Sequence, residues 1–280
     1  MAETFGVRLH DRLREAGPLC VGVDPSSALL GAWDRSDNVE GLEFFSLAVL
    51  EAVTGVVAVI KPQVAFFERF GSAGYRVLER LISEAHDAEL MVVADAKRGD
   101  FSVTNEGYAQ AWLRDGSPLA VDAVTAHPYL GVDALAPLFE AASLSGRGVF
   151  VLSATSNEEG RALQGARTFE NERVDESVLH RVSEINHRDT GLGSVGVVFG
   201  ATRDRPNFDL ASLSGPYLVP GLGEQGASAS DVARLFEHRG ECTVLASVSR
   251  AILRAGPHQR GIRDAARRWR DELMAALFPS

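Results

Sequence analysis

The chain has 280 residues, 45% of them hydrophobic and 24% charged, the make-up of an ordinary globular protein large enough for one big domain or two small ones. A net charge of −10 speaks against a general nucleic-acid binder, which needs a basic surface. It leaves room for a small anionic substrate, because a local cluster of cations is enough to bind one.

The first periodic segment, Phe5–Leu13, is an amphipathic helix ahead of the first strand. Short apolar, β-branched runs then recur at 19–23, 56–60, 90–94, 121–125, 148–152, 195–199, 217–219 and 243–246. Continuous apolar runs of this length suit strands buried on both faces. Segments of helical period separate them at 40–53, 74–88, 103–113, 132–142, 173–187, 229–238 and 259–277, with a short, weak one near 208–213. Eight alternations of strand and helix predict parallel strands joined by right-handed crossovers. In this length they favour an α/β fold of the closed (β/α)8 TIM-barrel type, a single domain over 1–280 with an extra N-terminal helix. The longest irregular stretch is Ala154 to Asn171, polar and glycine-containing, which marks it as functional or mobile.

Cys20 and Cys242 provide neither a disulfide framework nor a cysteine-based metal site. Both sit beside apolar runs and read as core thiols. They lie near the N-terminal ends of the first and last strands, neighbours in a closed barrel, so they are expected to be close. Met1-Ala2-Glu3-Thr4 lacks the cationic and apolar regions of a signal peptide, and no apolar run approaches the ~18–20 residues that span a bilayer. A cytoplasmic protein with no membrane partner is the expectation.

In a βα barrel the chemistry gathers at the C-terminal strand ends. Those ends read Asp24-Pro25, Lys61-Pro62-Gln63, Asp95 with Lys97 and Asp100, His127-Pro128-Tyr129, Ser153 to Asn157, Pro220 to Gly226, and Ser247, Ser249, Arg250. The third is the densest, with Asp95, Lys97, Arg98 and Asp100 following an apolar run. Charge packed against core is costly unless it is paired or used. Asp95 and Lys97 are two apart, which on a strand puts both side chains on one face, roughly 6–7 Å apart along the backbone. Asp100 lies past the strand, beyond a glycine. Carboxylates beside a lysine favour its charged form, which suits Lys97 to electrostatic work and proton donation rather than Schiff-base chemistry. The carboxylates alternate with cations and no histidine–carboxylate ligand cluster accompanies them, so no metal is expected. His127 reads as a loop hydrogen-bonder. The glycine-rich 220–226 loop and Arg250 follow the seventh and eighth strands, where such barrels often bind phosphate.

Taken together these pieces resemble orotidine 5′-phosphate decarboxylase, in its longer bacterial, type 2 branch. They are Val23-Asp24-Pro25, Ile60-Lys61-Pro62-Gln63, Asp95-Ala96-Lys97-Arg98-Gly99-Asp100 with Thr104, Thr155-Ser156-Asn157, Val219-Pro220-Gly221 with Gln225-Gly226, and Ser249-Arg250. They fall in the family's order and follow six of the eight predicted strands, from the first to the last. The resemblance implies decarboxylation of orotidine 5′-monophosphate to UMP and CO2 in de novo pyrimidine synthesis, without cofactor or metal. It implies Lys61, Asp95, Lys97 and Asp100 as the catalytic network, with Lys97 the proton donor to C6. Asp24 and Lys61 would bind the ribose hydroxyls, Ser156 the pyrimidine edge, and Gln225 and Arg250 the phosphate, with Pro220 lining the site. It also implies a homodimer in which Asp100 and Thr104 reach the partner's site. Two departures stand out. Ser247-Val248 precede Ser249-Arg250 where Asn-Ser is expected, and Glu158-Glu159 follow Asn157 where a Pro-Gly-like turn is frequent. A related Mg2+-dependent sugar-phosphate barrel, such as 3-hexulose-6-phosphate synthase, would need a glutamate at the strand-two end, where Lys61 stands. A non-catalytic nucleotide-binding barrel is the remaining alternative.

Overall fold

The computed structural model describes residues 3–187, 191–237 and 243–278. Cys242, and with it the expected approach to Cys20, lies outside the described residues, as does His238 at the end of one predicted helix. In chain order the elements are α1 (Phe5–Ala16), β1 (Leu19–Val23), α2 (Ser27–Ala32), α3 (Val39–Val53), β2 (Val59–Pro62), α4 (Ala65–Glu68), α5 (Gly71–Asp87), β3 (Met91–Arg98), α6 (Val103–Leu113) and β4 (Ala123–Ala126). A 3-10 turn at Val132–Leu135 leads into α7 (Ala136–Ser145), followed by β5 (Gly148–Ala154), α8 (Gly160–Gln164), α9 (Val174–Asn186), β6 (Val195–Phe199), a 3-10 turn at Leu210–Leu213, β7 (Tyr217–Val219), α10 (Ala229–Leu235), β8 (Val244–Val248), α11 (Arg250–Leu253) and α12 (Gln259–Leu277). The eight described strands pair in parallel, in sequence order, and β8 closes on β1. The fold is a (β/α)8 barrel, as the alternation predicts.

Side chains on a strand alternate between the two faces. The outward ones, among them Val21, Ile60, Val92, Val124, Val149 and Val197, pack with the inner faces of the helices in the main core. The inward set starts apolar, with Cys20, Val59, Met91, Val93, Ala123, Phe150 and Leu245 in a second cluster. Helix α1 closes this cluster from below. Thr4 caps its first turn, and Phe5, Leu9 and Leu13 enter the barrel floor. Phe5 meets Phe150 edge to face at 5.9 Å between ring centres. Burial of each such side chain is worth roughly 1.5–3 kcal/mol, so the extra helix acts as a plug. One step up, the inward positions of β2, β3, β4 and β8 turn polar: Lys61, Asp95, Thr125 and Ser247. The barrel is dry at one end and charged at the other.

Several boundaries differ from the periodic reading; the third strand, for one, runs on to Arg98. The second strand runs Val59–Pro62, because Val59 pairs with Cys20 on one side and Met91 on the other, while Val56 is held in a turn by Val53. Lys61 therefore sits within the strand. The fourth strand begins at Ala123, since Asp122 spends its carboxylate on the Val92 N–H at 2.9 Å and on His86 at 3.1 Å. The irregular stretch after β5 contains α8, and the sixth crossover lacks a regular helix, keeping only its 3-10 turn.

Candidate active site

The third strand does not run straight through its charged end. Opposite β4, Ala94 pairs with Val124 and Arg98 with Ala126, so Asp95, Ala96 and Lys97 together face one residue, Thr125. This is a bulge, and it puts Lys97 in the left-handed region at φ +48°, a placement that costs of order 1–3 kcal/mol for a residue with a side chain. Thr125 holds it there. Its hydroxyl accepts from the Lys97 N–H at 2.9 Å and donates to Asp95 Oδ1 at 3.0 Å. The simple expectation of two side chains on one flat strand face is corrected accordingly. They do converge, but through the bulge, with Lys97 Nζ 2.5 Å from Asp95 Oδ1.

Asp95 is the hub. Its Oδ2 accepts from Lys61 Nζ at 2.8 Å and from Gln63 Nε2 at 3.0 Å. The Lys61 side chain is 8% exposed and that of Asp95 12%, whereas Lys97 keeps 46% of its side chain open to the barrel mouth. Burial alone would push the Asp95 carboxyl up, yet Lys61 and Lys97 outweigh it and hold it well below the usual carboxylate range. Burial likewise disfavours charge on Lys61, but the carboxylates of Asp95 and Asp24 raise its pKa above the ordinary lysine value. Asp95 and Lys61 are thus an ionised buried pair, and the exposed ammonium beside them belongs to Lys97.

The remaining two charges of the motif point elsewhere. Arg98 turns outward to Glu68, lies 3.4 Å from the Tyr75 hydroxyl, and stacks near the rings of Tyr108 and Trp112. It pins the outer side of the bulge to α4, α5 and α6. Asp100 is tied into its own loop: its N–H donates to Asn105 Oδ1 at 3.0 Å, and its Oδ1 accepts the Phe101 N–H at 2.8 Å. Buried Asn105 also donates to the carbonyls of Asp100 and Ala134.

On the other side of the mouth, Asp24 leaves β1 and its Oδ2 accepts from Ser249 Oγ at 2.5 Å. Asp24 Oδ1 is buried and has no protein partner among the described residues. The Gly22 position makes this contact possible, because a Cβ there would stand 2.6 Å from Ser249 Cβ and 3.3 Å from Asp24 Oδ1. Arg69 braces the same loop through Pro25 O, Ser27 and Asp37. Further round the rim, Ser156 rests against Gly200 at the end of β6, so closely that a Cβ on Gly200 would come within 2.8 Å of Ser156 N. Gly221, at φ +105°, lies between Ser156 and the Gln225 side chain, and a Cβ there would be 2.9 Å from Gln225 Oε1. Pro220 anchors this loop through its carbonyl, which accepts the Ala201 N–H at 2.9 Å. Arg250 opens α11, half exposed, with Nη1 3.6 Å from Glu224 Oε1.

A model of the family described as orotidine 5′-phosphate decarboxylase / HUMPS matches residues 17–265. The chain belongs to this family. It is 50% identical over 278 residues to the orotidine 5′-phosphate decarboxylase of Salinispora arenicola, covering 99% of this chain and 100% of that one. A crystal structure from Streptomyces avermitilis, solved as a candidate enzyme of the same name, superimposes with a TM-score of 0.94 at 47% identity, over 99% of this chain and 96% of that one. The OMP decarboxylase of Leishmania donovani gives a TM-score of 0.78 at 32% identity, over 98% and 99% of the two chains.

Of the residues singled out by family resemblance, Lys61, Asp95 and Lys97 meet in one cluster. Asp24 lies close enough to Lys61 to act on its charge, and Ser156, Pro220 and Gln225 share one rim. Asp100 and exposed Thr104 do not join the cluster of their own chain. The sequence places Gln63 and Ser249 at strand ends without giving either a role, and it passes over Thr125 as a site residue. Thr125 had a signal, being a polar residue in the inward phase of an apolar run, two after Ala123. The departures also acquire an account. Ser247 stands opposite Cys20 in the barrel interior, and burial pushes the Cys20 thiol up to about 12 against the opposing pull of Lys61 and the Ser247 hydroxyl. Glu158 pairs with Arg161 at the start of α8 at 3.0 Å. His127 bonds through its backbone N–H to Arg98 O, 2.9 Å away, while its ring lies where a Cβ on Gly99 would fall. Among the described residues no group of three or more His, Cys, Asp or Glu is placed to hold a metal ion, and no helix is long and apolar enough to cross a membrane.

Proposed function

We propose that the chain, as a single barrel domain, decarboxylates orotidine 5′-monophosphate to UMP in pyrimidine biosynthesis, with Lys97 as the proton donor. The observation that carries the residue assignment is the ionised Asp95, held between buried Lys61 and half-exposed Lys97 at the barrel mouth. As the C6–carboxylate bond breaks, CO2 leaves and the electron pair stays on C6. The Lys97 ammonium stabilises that pair, passes one proton to C6, and the neutral amine is reprotonated from solvent. Asp95 fixes the ammonium in place, Thr125 fixes the backbone that carries it, and Lys61 keeps Asp95 ionised. Repulsion between a carboxylate of the network and that of the substrate would contribute about 4 kcal/mol at 4 Å and an effective dielectric of 20. Enzymic accelerations require ~8–23 kcal/mol, so stabilisation of the carbanion is the larger effect.

Substrate binding follows the rim. Buried Asp24 Oδ1, with no donor among the described residues, suits a ribose hydroxyl, because an unmet acceptor of this kind costs roughly 1–3 kcal/mol until a donor arrives. Ser156 reads the pyrimidine edge, and Gln225, Arg250 and the Pro220–Gly226 loop hold the phosphate, remote from the reacting carbon, where its binding energy can close the site. A homodimer supplies Asp100 and Thr104 to the neighbouring site. Supporting this, exposed Phe101 and Val103 flank Asp100 and Thr104 in sequence, and Tyr129 and Leu130 are exposed on the loop after β4, apolar side chains of the kind that a partner covers. We place the enzyme in the cytoplasm and assign it neither cofactor nor metal.

The test is to add orotidine 5′-monophosphate to purified, EDTA-treated protein and follow its absorbance. Conversion to UMP at the untreated rate is expected. No conversion of orotidine 5′-monophosphate, together with Mg2+-dependent turnover of a sugar phosphate, would instead support a metal-dependent sugar-phosphate enzyme of the same family, and tight UMP binding without conversion a non-catalytic barrel.

A further inference from the structure

Glu224 sits in the middle of the loop assigned to the phosphate, an unexpected place for a carboxylate. Its backbone is fixed by a tight turn: the Glu224 N–H donates to Leu222 O at 3.0 Å, the Gly226 N–H to Gly223 O at 3.0 Å, and the Gly223 N–H to Ala227 O at 2.8 Å. The side chain is thereby directed over α11, where Arg250 and Arg254 are four residues apart and share a face. The carboxylate is shared unequally between them. It engages Arg254 through both oxygens, with Nη1–Oε2 at 2.7 Å and Nη2–Oε1 at 2.8 Å, while Arg250 Nη1 stands 3.6 Å from Oε1. Among the described residues Arg250 has no other ion pair.

Resting on the assignment of Arg250 to the substrate phosphate, we infer that Glu224 competes with that phosphate for Arg250, and that Arg254 is a positioning residue that holds Glu224 back. With Glu224 clamped by the fork of Arg254, the Arg250 guanidinium is left largely free for a dianion. If Arg254 is removed, the nearest cation to the Glu224 carboxylate is Arg250, and an internal anion then occupies the phosphate grip. Even when clamped, Glu224 places a negative charge beside the incoming dianion. The pair Glu224–Arg254 therefore sets affinity for the phosphate end of the ligand without touching the reacting carbon.

The consequences have opposite signs, which makes them separable. Glu224→Gln, nearly isosteric, should tighten UMP binding about fivefold, the upper end for a partly exposed ion pair. The same change should appear in KM for orotidine 5′-monophosphate rather than in kcat, as expected for an interaction lost equally from ground and transition states. Arg254→Ala should weaken UMP binding by a similar factor. In the double variant that weakening should vanish, because no carboxylate remains to close on Arg250. Uridine, which lacks the phosphate, should bind all variants alike. Calorimetric titrations with UMP and uridine read each of these on folded protein. Glu224→Gln binding UMP no more tightly than wild type overturns the inference, as does Arg254→Ala weakening it equally in both backgrounds, which would mean that Arg254 touches the phosphate itself. Arg250→Ala serves as the reference. If it weakens UMP binding while Glu224→Gln changes nothing, the competition alone is wrong, and if it too changes nothing, the phosphate assignment falls first.

Discussion

Replacing Asp95 with asparagine tests the site and the fold at once. The substitution keeps the shape and removes the charge that Lys61 and Lys97 share at 2.8 and 2.5 Å. Gross attraction across the Lys61 contact is about 6 kcal/mol at an effective dielectric of 20, but part of it offsets the cost of burying both ions. Breaking a buried pair by removing one partner typically costs about 3–5 kcal/mol, because the other charge stays buried. Lys97 is half exposed and adds no more than ~1 kcal/mol. A net loss of about 3–5 kcal/mol should move the urea midpoint down by roughly 1–2 M in a chain of this size, measured at fixed protein concentration. The pH dependence has a definite sign. The folded-state pKa of Asp95 is depressed, so its contribution is complete above the unfolded carboxyl value of about 3.9 and is lost as pH falls through the lower folded value. Lys61 has a raised pKa, so its share is complete below the unfolded lysine value and is lost only as pH rises through the folded one. The gap between wild type and Asp95→Asn should therefore be flat from about pH 5 to 8 and close in acid. An asparagine variant within about 0.5 kcal/mol of wild type at pH 7, or a gap that persists unchanged deep into acid, would refute the reading of Asp95 as an ionised hub.

Three further outcomes follow from the same geometry. Lys97→Ala should lower turnover by at least about 10³-fold while leaving UMP binding, and stability to within ~1 kcal/mol, in place, since its ammonium is half exposed; a rate near wild type would remove it as the proton donor. Gly22→Ala introduces a methyl 2.6 Å from Ser249 Cβ, and the overpacking should cost about 1–3 kcal/mol and raise KM by displacing Asp24 or the start of α11; an unchanged KM would argue against Asp24 as a ribose ligand. Mixing inactive Asp100→Ala and Lys97→Ala proteins should restore roughly a quarter of wild-type activity, because half the dimers are mixed and each carries one intact site under two-fold symmetry. No recovery after subunit exchange would place Asp100 in its own chain's site.

How far the chain could be read without coordinates depended on the range of the interaction involved. The strands at 19–23, 195–199 and 217–219 and the helices at 103–113 and 259–277 end where their periodicity ends, because the pattern that buries them lies in adjacent residues. The second and fourth strands shifted because register is decided by partners: Val59 answers to Cys20 and Met91, and Asp122 is drawn off to cap Val92. In the site, lysines and aspartates at strand ends were visible as charge with nowhere to go. Their pairings were not, since Gln63 and Thr125 carry no charge and matter only through where the barrel places them.

The run from Val92 to Asp100 shows the division most plainly. Its residues alone determined that a buried strand must end in charge, and hence which end of the barrel does chemistry. Only the tertiary structure decided that the strand bulges, that Thr125 from the next strand stitches the bulge, and that the four charges part, with Asp95 and Lys97 facing the barrel mouth, Arg98 turning out to Glu68, and Asp100 staying in its own loop. The alternation of apolar and charged residues is a local property that a chain carries with it. The choice of partner belongs to residues distant in sequence, and it exists only once the closed barrel has set them side by side.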